Sequence, residues 1–366
     1  MTTTEIDSEA LEPSSEPTRH ARRVHEHFEG EFVGVHRSRR RKLLAGVGLA
    51  FVAYLVFVGP PSGREIVLMW MLLWLFAAVG GSRALFVRVV TKDWLPLFGV
   101  LFAYDFLRGQ VERMPWSHSL TLLRDDSLVL RAWHAHVEPQ LSGDQQLFGQ
   151  LPTIWLQHRL HPTGNFHWYD VVLSVVYMSH FILPLAVALL LWSRSYQAFQ
   201  HYVAVFTTLS VMGLATYLLF PAAPPWMASL NGYAPHGIDR IMGETLKAIG
   251  STPARSLIER GEAWSNPVAA MPSLHAAMPM MILLFFWGTA RWWFRAVLVT
   301  YTLAMAFALV YGGEHYVVDI LAGWAYAAIA WLVVTQIARR RRQRLLHEVE
   351  PYPTPYAPHH EPTVSA

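Results

Sequence analysis

The chain contains no cysteine, which removes disulfides, thiolate nucleophiles, iron–sulfur clusters and thiolate metal sites in one step. Charge is also scarce. Only 15% of the 366 residues are Asp, Glu, Lys or Arg while 53% are hydrophobic, against roughly 25% charged residues in an average soluble chain. These proportions argue against a water-soluble globule. There is no Gly-rich phosphate loop, no internal repeat and no low-complexity tract within the apolar part of the chain, so nucleotide cradles and solenoid architectures are set aside. The formal charge of +3 does not point to nucleic acid, because the Arg clusters abut apolar runs, where membrane topology and anionic lipids account for them.

The apolar residues fall in runs separated by polar segments, which is the pattern of a polytopic all-α membrane bundle. Stretches free of Asp, Glu, Lys and Arg occur at 43–59, 66–82, 171–193, 202–222, 272–290, 296–313 and 320–338, each near the length a helix needs to cross a bilayer. A shorter candidate, 94–107, carries Asp105 and reads alone as a span or as an interfacial or re-entrant helix. Parity favours a span. The run RSRRRK precedes the first apolar stretch and ARRRRQR follows the last, so both termini are expected in the cytoplasm and the number of crossings is even. Counting 94–107 gives eight spans, with the long segments 108–170 and 221–271 on the extracytoplasmic side of the cell membrane.

Residues 1–42, with alternating acidic and basic patches and no apolar run, read as a disordered cytoplasmic tail. The first apolar run starts at Leu43, late for a cleaved signal peptide, so the first span is expected to remain as an anchor. Residues 43–93 then hold two additional N-terminal helices, 94–338 the main membrane domain, and 339–366 a basic and then Pro-rich cytoplasmic tail. The segment DQQLFGQLPTIWLQHRL at 144–160 suggests amphipathic helices, either lying on the membrane surface or packing over the bundle.

Two polar insertions interrupt the ends of the last apolar helices: AMPSLHAA at 270–277 and YGGEHYVVD at 311–319. Ionisable groups at such positions are costly in lipid and point to function. His315 and Asp319 are four apart, on one helical face. A carboxylate there can accept a hydrogen bond from one imidazole nitrogen, fixing the tautomer and leaving the other nitrogen as a nucleophile, or the pair can simply satisfy each other. His275 follows Pro272 at an expected helix start on the same membrane face. A third element, YLLFPAAPPWM at 217–227, closes a span on that surface.

These motifs resemble the type-2 phosphatidic acid phosphatase superfamily, whose signature is P-S-x-H followed about forty residues later by H-x3-D. The similarity is closer to its inositol phosphorylceramide synthase-like branch, through Phe220–Trp226, Pro272–His275 and Gly313–Gly323, with YDFLRG at 104–109 and WYDVVLSVVYMSHF at 168–181. The resemblance covers roughly residues 94–337 and implies a six-helix catalytic core. It also implies that His315 attacks phosphorus to give a phosphohistidine, that Asp319 orients it, and that His275 protonates the departing oxygen. No cofactor and no metal is implied, and Glu314 beside His315 lacks a third ligand at recognisable spacing.

The chain departs from the phosphatase branch where phosphate is gripped. Ala308 and Leu309 stand where that branch has Ser-Arg, and no Lys or Arg occurs between Arg194 and Arg240. A monoester carries nearly two negative charges and a diester one, so a site poor in cations suits the diester. The expected partner is therefore a membrane phospholipid or lipid phosphate, with water or an alcohol as acceptor. A phosphatase and a headgroup transferase both stay open, as does a transporter or binding protein without turnover. Candidate substrate contacts are Ser273, Pro224, Trp226, Tyr177, His180 and Arg240, with Asp105 and Arg108 either pairing with each other or touching substrate. Lys247, Arg255 and Arg260 are further sources of charge, and backbone amides at the helix starts near Pro272 and His315 another.

Overall fold

A computed structural model describes residues 37–58, 64–100, 102–103, 135–162, 166–249 and 268–348. The terminal tails, parts of the outer segments, and with them Asp105, Arg108, Arg255 and Arg260, lie outside the described residues, as does the side chain of Lys247. The described residues are helical, with two isolated β-bridges and no extended strand among them.

The chain divides into two compact units, residues 1–92 and 93–366. In the first, α1 (Arg37–Phe57) packs on α2 (Arg64–Ala78), with Trp70 meeting Phe51 and Tyr54 edge-on at 5.0 and 5.5 Å. Gly80 and Gly81 then take left-handed backbone angles, which end the helix at low steric cost. Ser82 starts α3 (Arg83–Val89) by accepting the Leu85 N–H.

The second unit holds α4 (Glu138–Phe148), α5 (Pro152–Leu160), α6 (Trp168–Arg194), α7 (Tyr196–Leu219), α8 (Pro225–Leu230), α9 (Ile241–Ile249), α10 (Leu274–Trp287), α11 (Trp292–Tyr311) and α12 (Val317–Glu348). Four of these contain stretches long and apolar enough to cross a membrane: α6, α7, α11 and residues Val317–Arg344 of α12. Only 22% of the apolar stretch of α6 is buried inside the protein, and Val175, Phe181, Leu190, Val297, Leu303 and Leu332 face outward. Helices that are apolar on every side yet cover so little of themselves are built to meet lipid. The expected spans at 66–82 and 272–290 appear as shorter apolar helices, Ile66–Ala78 and Leu274–Trp287.

One residue, Ser195, links α6 to α7, accepting the Ala198 N–H as N-cap. Short turns likewise join α10 to α11 and α11 to α12, so these helices run antiparallel. Helix α12 packs on α10 and α7, and α6 on α7, α11 and α10, so that five helices bundle together among the described residues. Among the described residues the polar motifs fall at one end: the starts of α6, α10 and α12 and the ends of α7 and α11. Arg194, Arg291, Arg295 and Arg339–Arg342 occupy the opposite helix ends.

The bundle is tightest where α12 passes the start of α10. A Cβ on Gly323 would lie 2.3 Å from the Ser273 carbonyl oxygen, so only glycine allows the approach. Gly323→Ala is expected to cost about 1–3 kcal/mol of stability, as overpacking does, and to part the helices carrying His275 and Asp319. A thermal melt in detergent checks this; an unchanged midpoint contradicts it.

The two amphipathic helices expected within 144–160 are present as α4 and α5, and they pack over the bundle, α4 on α12 and α5 on α11. Leu147, Phe148 and Trp155 remain on their outer surface.

Candidate active site

The second polar motif begins where α11 ends. Gly313 holds a left-handed φ of 74°, and a Cβ there would lie 2.7 Å from the Asp239 carbonyl oxygen. This turn presents Glu314 and His315 between the end of α11 and the start of α12. His315 is buried, Asp319 fully so. The Asp319 Oδ2 lies 3.6 Å from His315 Nδ1, an ion-pair separation slightly long for a hydrogen bond, and it accepts the Tyr316 N–H at 2.9 Å. That bond fixes the carboxylate on the Nδ1 side of the ring, leaving Nε2 turned away from it.

His315 Nε2 meets His275 Nδ1 at 3.4 Å. His275 sits in the first turn of α10, after a cis Met271–Pro272 bond. The two histidines, forty residues apart, thus face each other. Four buried polar atoms in this cluster have no hydrogen-bond partner in the protein: His180 Nδ1, His275 Nε2, His315 Nδ1 and Asp319 Oδ1. Buried polar atoms are almost always paired, so the cluster is a candidate site for a reaction or ligand.

The expected candidates on α6 reach the same spot. Tyr177 stacks on His275 with ring centroids 5.1 Å apart and planes at 17°, and His180 lies against the same ring at 4.3 Å. Arg240 donates from Nε to Oε1 of Glu314, the residue next to His315, at 2.9 Å, and lies over the Trp226 ring at 4.7 Å. Trp226 in turn donates its backbone N–H to the Gly313 carbonyl at 3.1 Å. Pro224 is buried at the start of α8 and accepts the Met227 and Ala228 N–H groups. Ser273 is fully buried, and its hydroxyl is used as the N-cap of α10, accepting the Ala276 N–H at 3.3 Å. Its own N–H donates to the Asp319 carbonyl at 3.0 Å, which ties the two motifs by their backbones.

Two residues escape a sequence reading. Asp144, fully buried on α4, accepts the Val317 and Val318 N–H groups at 2.9 and 3.0 Å. It caps a helix 173 residues away. Burial pushes its carboxyl above the usual carboxylate range, with the two N–H bonds opposing the shift. Gln157 on α5 grips the Asp239 backbone on both sides, at 2.9 Å each, and donates to the Tyr311 carbonyl at 2.8 Å. It pins the strand of chain carrying Arg240 onto the turn carrying Glu314.

The Asp144 cap changes one expectation. The N–H groups of Tyr316, Val317 and Val318 are already taken by carboxylates, so the start of α12 does not offer them to a phosphate. Among the described residues, Arg240 is the cation placed beside the histidines.

Comparison with known proteins gives the family. The family model described as the PAP2 superfamily matches residues 144–333, just over half of the chain, and the chain belongs to that superfamily. It is similar to a phosphoinositol dihydroceramide synthase of Bacteroides thetaiotaomicron, 29% identical over 174 residues, which cover 45% of this chain and 56% of the relative. It is also similar to an inositol phosphorylceramide synthase of Candida albicans, 28% identical over 158 residues, covering 39% of this chain and 31% of the relative. The chain thus spans about half or less of the length of these relatives. No solved structure matches it.

Proposed function

We propose that the protein is a membrane phosphotransferase that moves an inositol-phosphate-like headgroup from a phospholipid diester to a lipid alcohol through a phosphohistidine at His315. The observation that carries this reading is the facing pair His315 Nε2 and His275 Nδ1, with Asp319 behind the first ring. Asp319 holds the proton on Nδ1, so the Nε2 lone pair is free to attack phosphorus. The P–O bond to the glycerolipid breaks as the N–P bond forms, and His275 gives a proton to the leaving alkoxide. In the second half His275 takes the proton of the acceptor hydroxyl, whose oxygen displaces His315. The rings touch in this structure, so His275 must swing aside for phosphorus to enter in line. The reaction uses no metal or cofactor at His315.

A diester donor is supported by Ala308 and Leu309, which offer no cation where the phosphatase branch has one, and by Arg240, whose single charge is already shared with Glu314. An acceptor of the ceramide class is supported by the names of the two relatives. Purified protein in mixed micelles should convert phosphatidylinositol and dihydroceramide or ceramide to a phosphoinositol sphingolipid and diacylglycerol, read by mass spectrometry. Release of inorganic phosphate from phosphatidic acid, with no headgroup transfer, would favour the phosphatase reading. Arg240→Gln is expected to raise KM for the donor about tenfold or more, the worth of a charge-assisted contact of roughly 1.5–3 kcal/mol, with a smaller effect on kcat.

The catalytic domain in this reading is residues 94–338, within an eight-span topology built around a six-helix core. Both termini are cytoplasmic and the site extracytoplasmic. The segregation of Arg194, Arg291, Arg295 and Arg339–Arg342 at the helix ends opposite the histidines supports that orientation. The wild-type chain has no thiol, so His236→Cys, exposed in the loop before α9, and Ser193→Cys, exposed at the end of α6, report sidedness without background. The first should react with an impermeant thiol reagent in intact cells and the second only after permeabilisation. The reverse pattern contradicts the orientation.

A further inference from the structure

A second cluster lies where α5 hands over to α6, apart from the histidine pair and unused by the proposed reaction. His161 is the C-cap residue of α5, His167 the N-cap residue of α6, and Asp170 the third residue of α6. The Nδ1 atoms of both histidines stand 3.7 Å from the same oxygen, Oδ2 of Asp170. The three atoms lie within 4.8 Å of one another. Asp170 is fully buried, and the His161 side chain is 5% exposed.

From this arrangement we infer that His161, His167 and Asp170 form a binding site for a divalent transition ion of the zinc class. Both Nδ1 atoms are out of solvent and without a hydrogen-bond partner in the protein. Two unpartnered nitrogens and a carboxylate oxygen held at such spacing match a cation between them: tetrahedral ligands about 2.1 Å from zinc lie roughly 3.4 Å from each other. Small side-chain movements complete the fit.

The donor set selects the ion. Two imidazoles and one carboxylate, with no thiolate in the chain, suit zinc and its neighbours rather than calcium or magnesium, which prefer all-oxygen shells. The ligands are also held from behind. Asp170 Oδ1 accepts the Tyr311 hydroxyl at 2.6 Å and Oδ2 the His167 N–H at 2.8 Å. The His167 ring stacks on Tyr169, with centroids 4.9 Å apart and planes at 7°. Such outer contacts fix ligand orientation in metal sites. The partly exposed His167 leaves a side of the ion open to water.

The consequence is mechanical rather than chemical. Tyr311 is the last residue of α11, and its carbonyl takes the Gln157 amide, so an ion at His161, His167 and Asp170 ties the junction of α5 and α6 to the turn that presents His315. It is a pin for the active-site turn and takes no part in phosphoryl transfer.

The test uses full-length protein in detergent, carrying no polyhistidine tag and stripped with chelator. Zinc is titrated by calorimetry, and cobalt(II) is followed by its visible absorption. One equivalent per chain is expected, with the intense visible bands of low-coordinate cobalt and a higher melting temperature when zinc is present. Loss of an orienting contact costs about 10–100-fold in affinity, so loss of a ligand in His161→Ala or His167→Ala should cost more than about 100-fold and abolish the zinc-dependent shift in melting. His167→Ala, at a half-exposed position, serves as the second variant if His161→Ala fails to fold. Folded wild-type protein that binds neither ion overturns the inference, and so does unaltered binding in both variants. Binding lost instead in His315→Ala would move the ion to the other site and likewise overturn it. Because binding and melting are read without substrate, failure here leaves the transferase reading to its own assay.

Discussion

Replacing His315 with alanine is expected to stop headgroup transfer altogether, leaving no product above the uncatalysed background. The variant loses the atom that bonds to phosphorus, and among the described residues no other group is positioned to replace it: His275, which faces it, stacks on Tyr177 and lies against His180. Asp319→Asn should behave differently. The nucleophile remains, but the ring loses the charge that holds its tautomer and stabilises it as it becomes cationic. A comparable loss in a catalytic triad costs about 10⁴-fold in kcat, so a small but measurable residue is expected from Asp319→Asn and none from His315→Ala. Initial rates with saturating donor separate the two. Retained turnover in His315→Ala would refute covalent catalysis at this residue.

The second large effect is expected at His275. General acid–base assistance is worth about 10²–10⁴-fold, and His275 serves both halves of the proposed reaction, so His275→Asn should lower kcat by that factor for a donor with a poor leaving group. The discriminating measurement compares donors. A synthetic phosphodiester whose leaving group is a nitrophenolate needs no proton to depart, so its first step should be nearly insensitive to the substitution, giving a burst of nitrophenol and then slow turnover. Equal loss with both donors would mean that His275 acts by shaping the site rather than by moving a proton. A modest effect with the natural lipid would argue against the assignment.

These expectations rest on residues that the sequence itself marks. His315 and Asp319 sit at helical spacing, and P-S-L-H and H-x3-D mark their own neighbourhoods, so the local chain carries the information. Tyr177 and His180 are legible as candidate substrate contacts within WYDVVLSVVYMSHF, though their meeting with His275 requires the packing of α6 against α10. Asp144 was not readable, because its partners are amides 173 residues away and nothing in the surrounding amphipathic pattern distinguishes a capping aspartate from a solvated one. Gln157 is hidden for the same reason: its value lies in three bonds to backbone that two other segments supply. The expectation that the start of α12 would cradle phosphate failed on this same point, since a helix start looks vacant in sequence until the side chain that fills it is located.

The apolar runs marked the helices well where they were long. The run 272–290 overstates its helix, which ends at Trp287 before Gly288, because a stretch without charges includes the turn that follows. Asp144→Ala offers a check on the capping argument. Removing a buried charged acceptor from two N–H groups should cost about 1–3 kcal/mol, seen as a lower midpoint in denaturation, and should slow transfer by loosening the turn that holds His315.

The central claim is a covalent bond between phosphorus and His315, and its most direct measurement is mass spectrometry of the protein caught in mid-reaction. Protein incubated with phosphatidylinositol in the absence of acceptor, quenched at alkaline pH where phosphoramidates persist, and digested should yield a peptide containing His315 whose mass is raised by inositol phosphate. The modification should vanish when ceramide is added before the quench, and should be absent from His315→Ala. An unmodified His315 peptide from protein that is demonstrably turning over, or the same adduct on His275, would contradict the account.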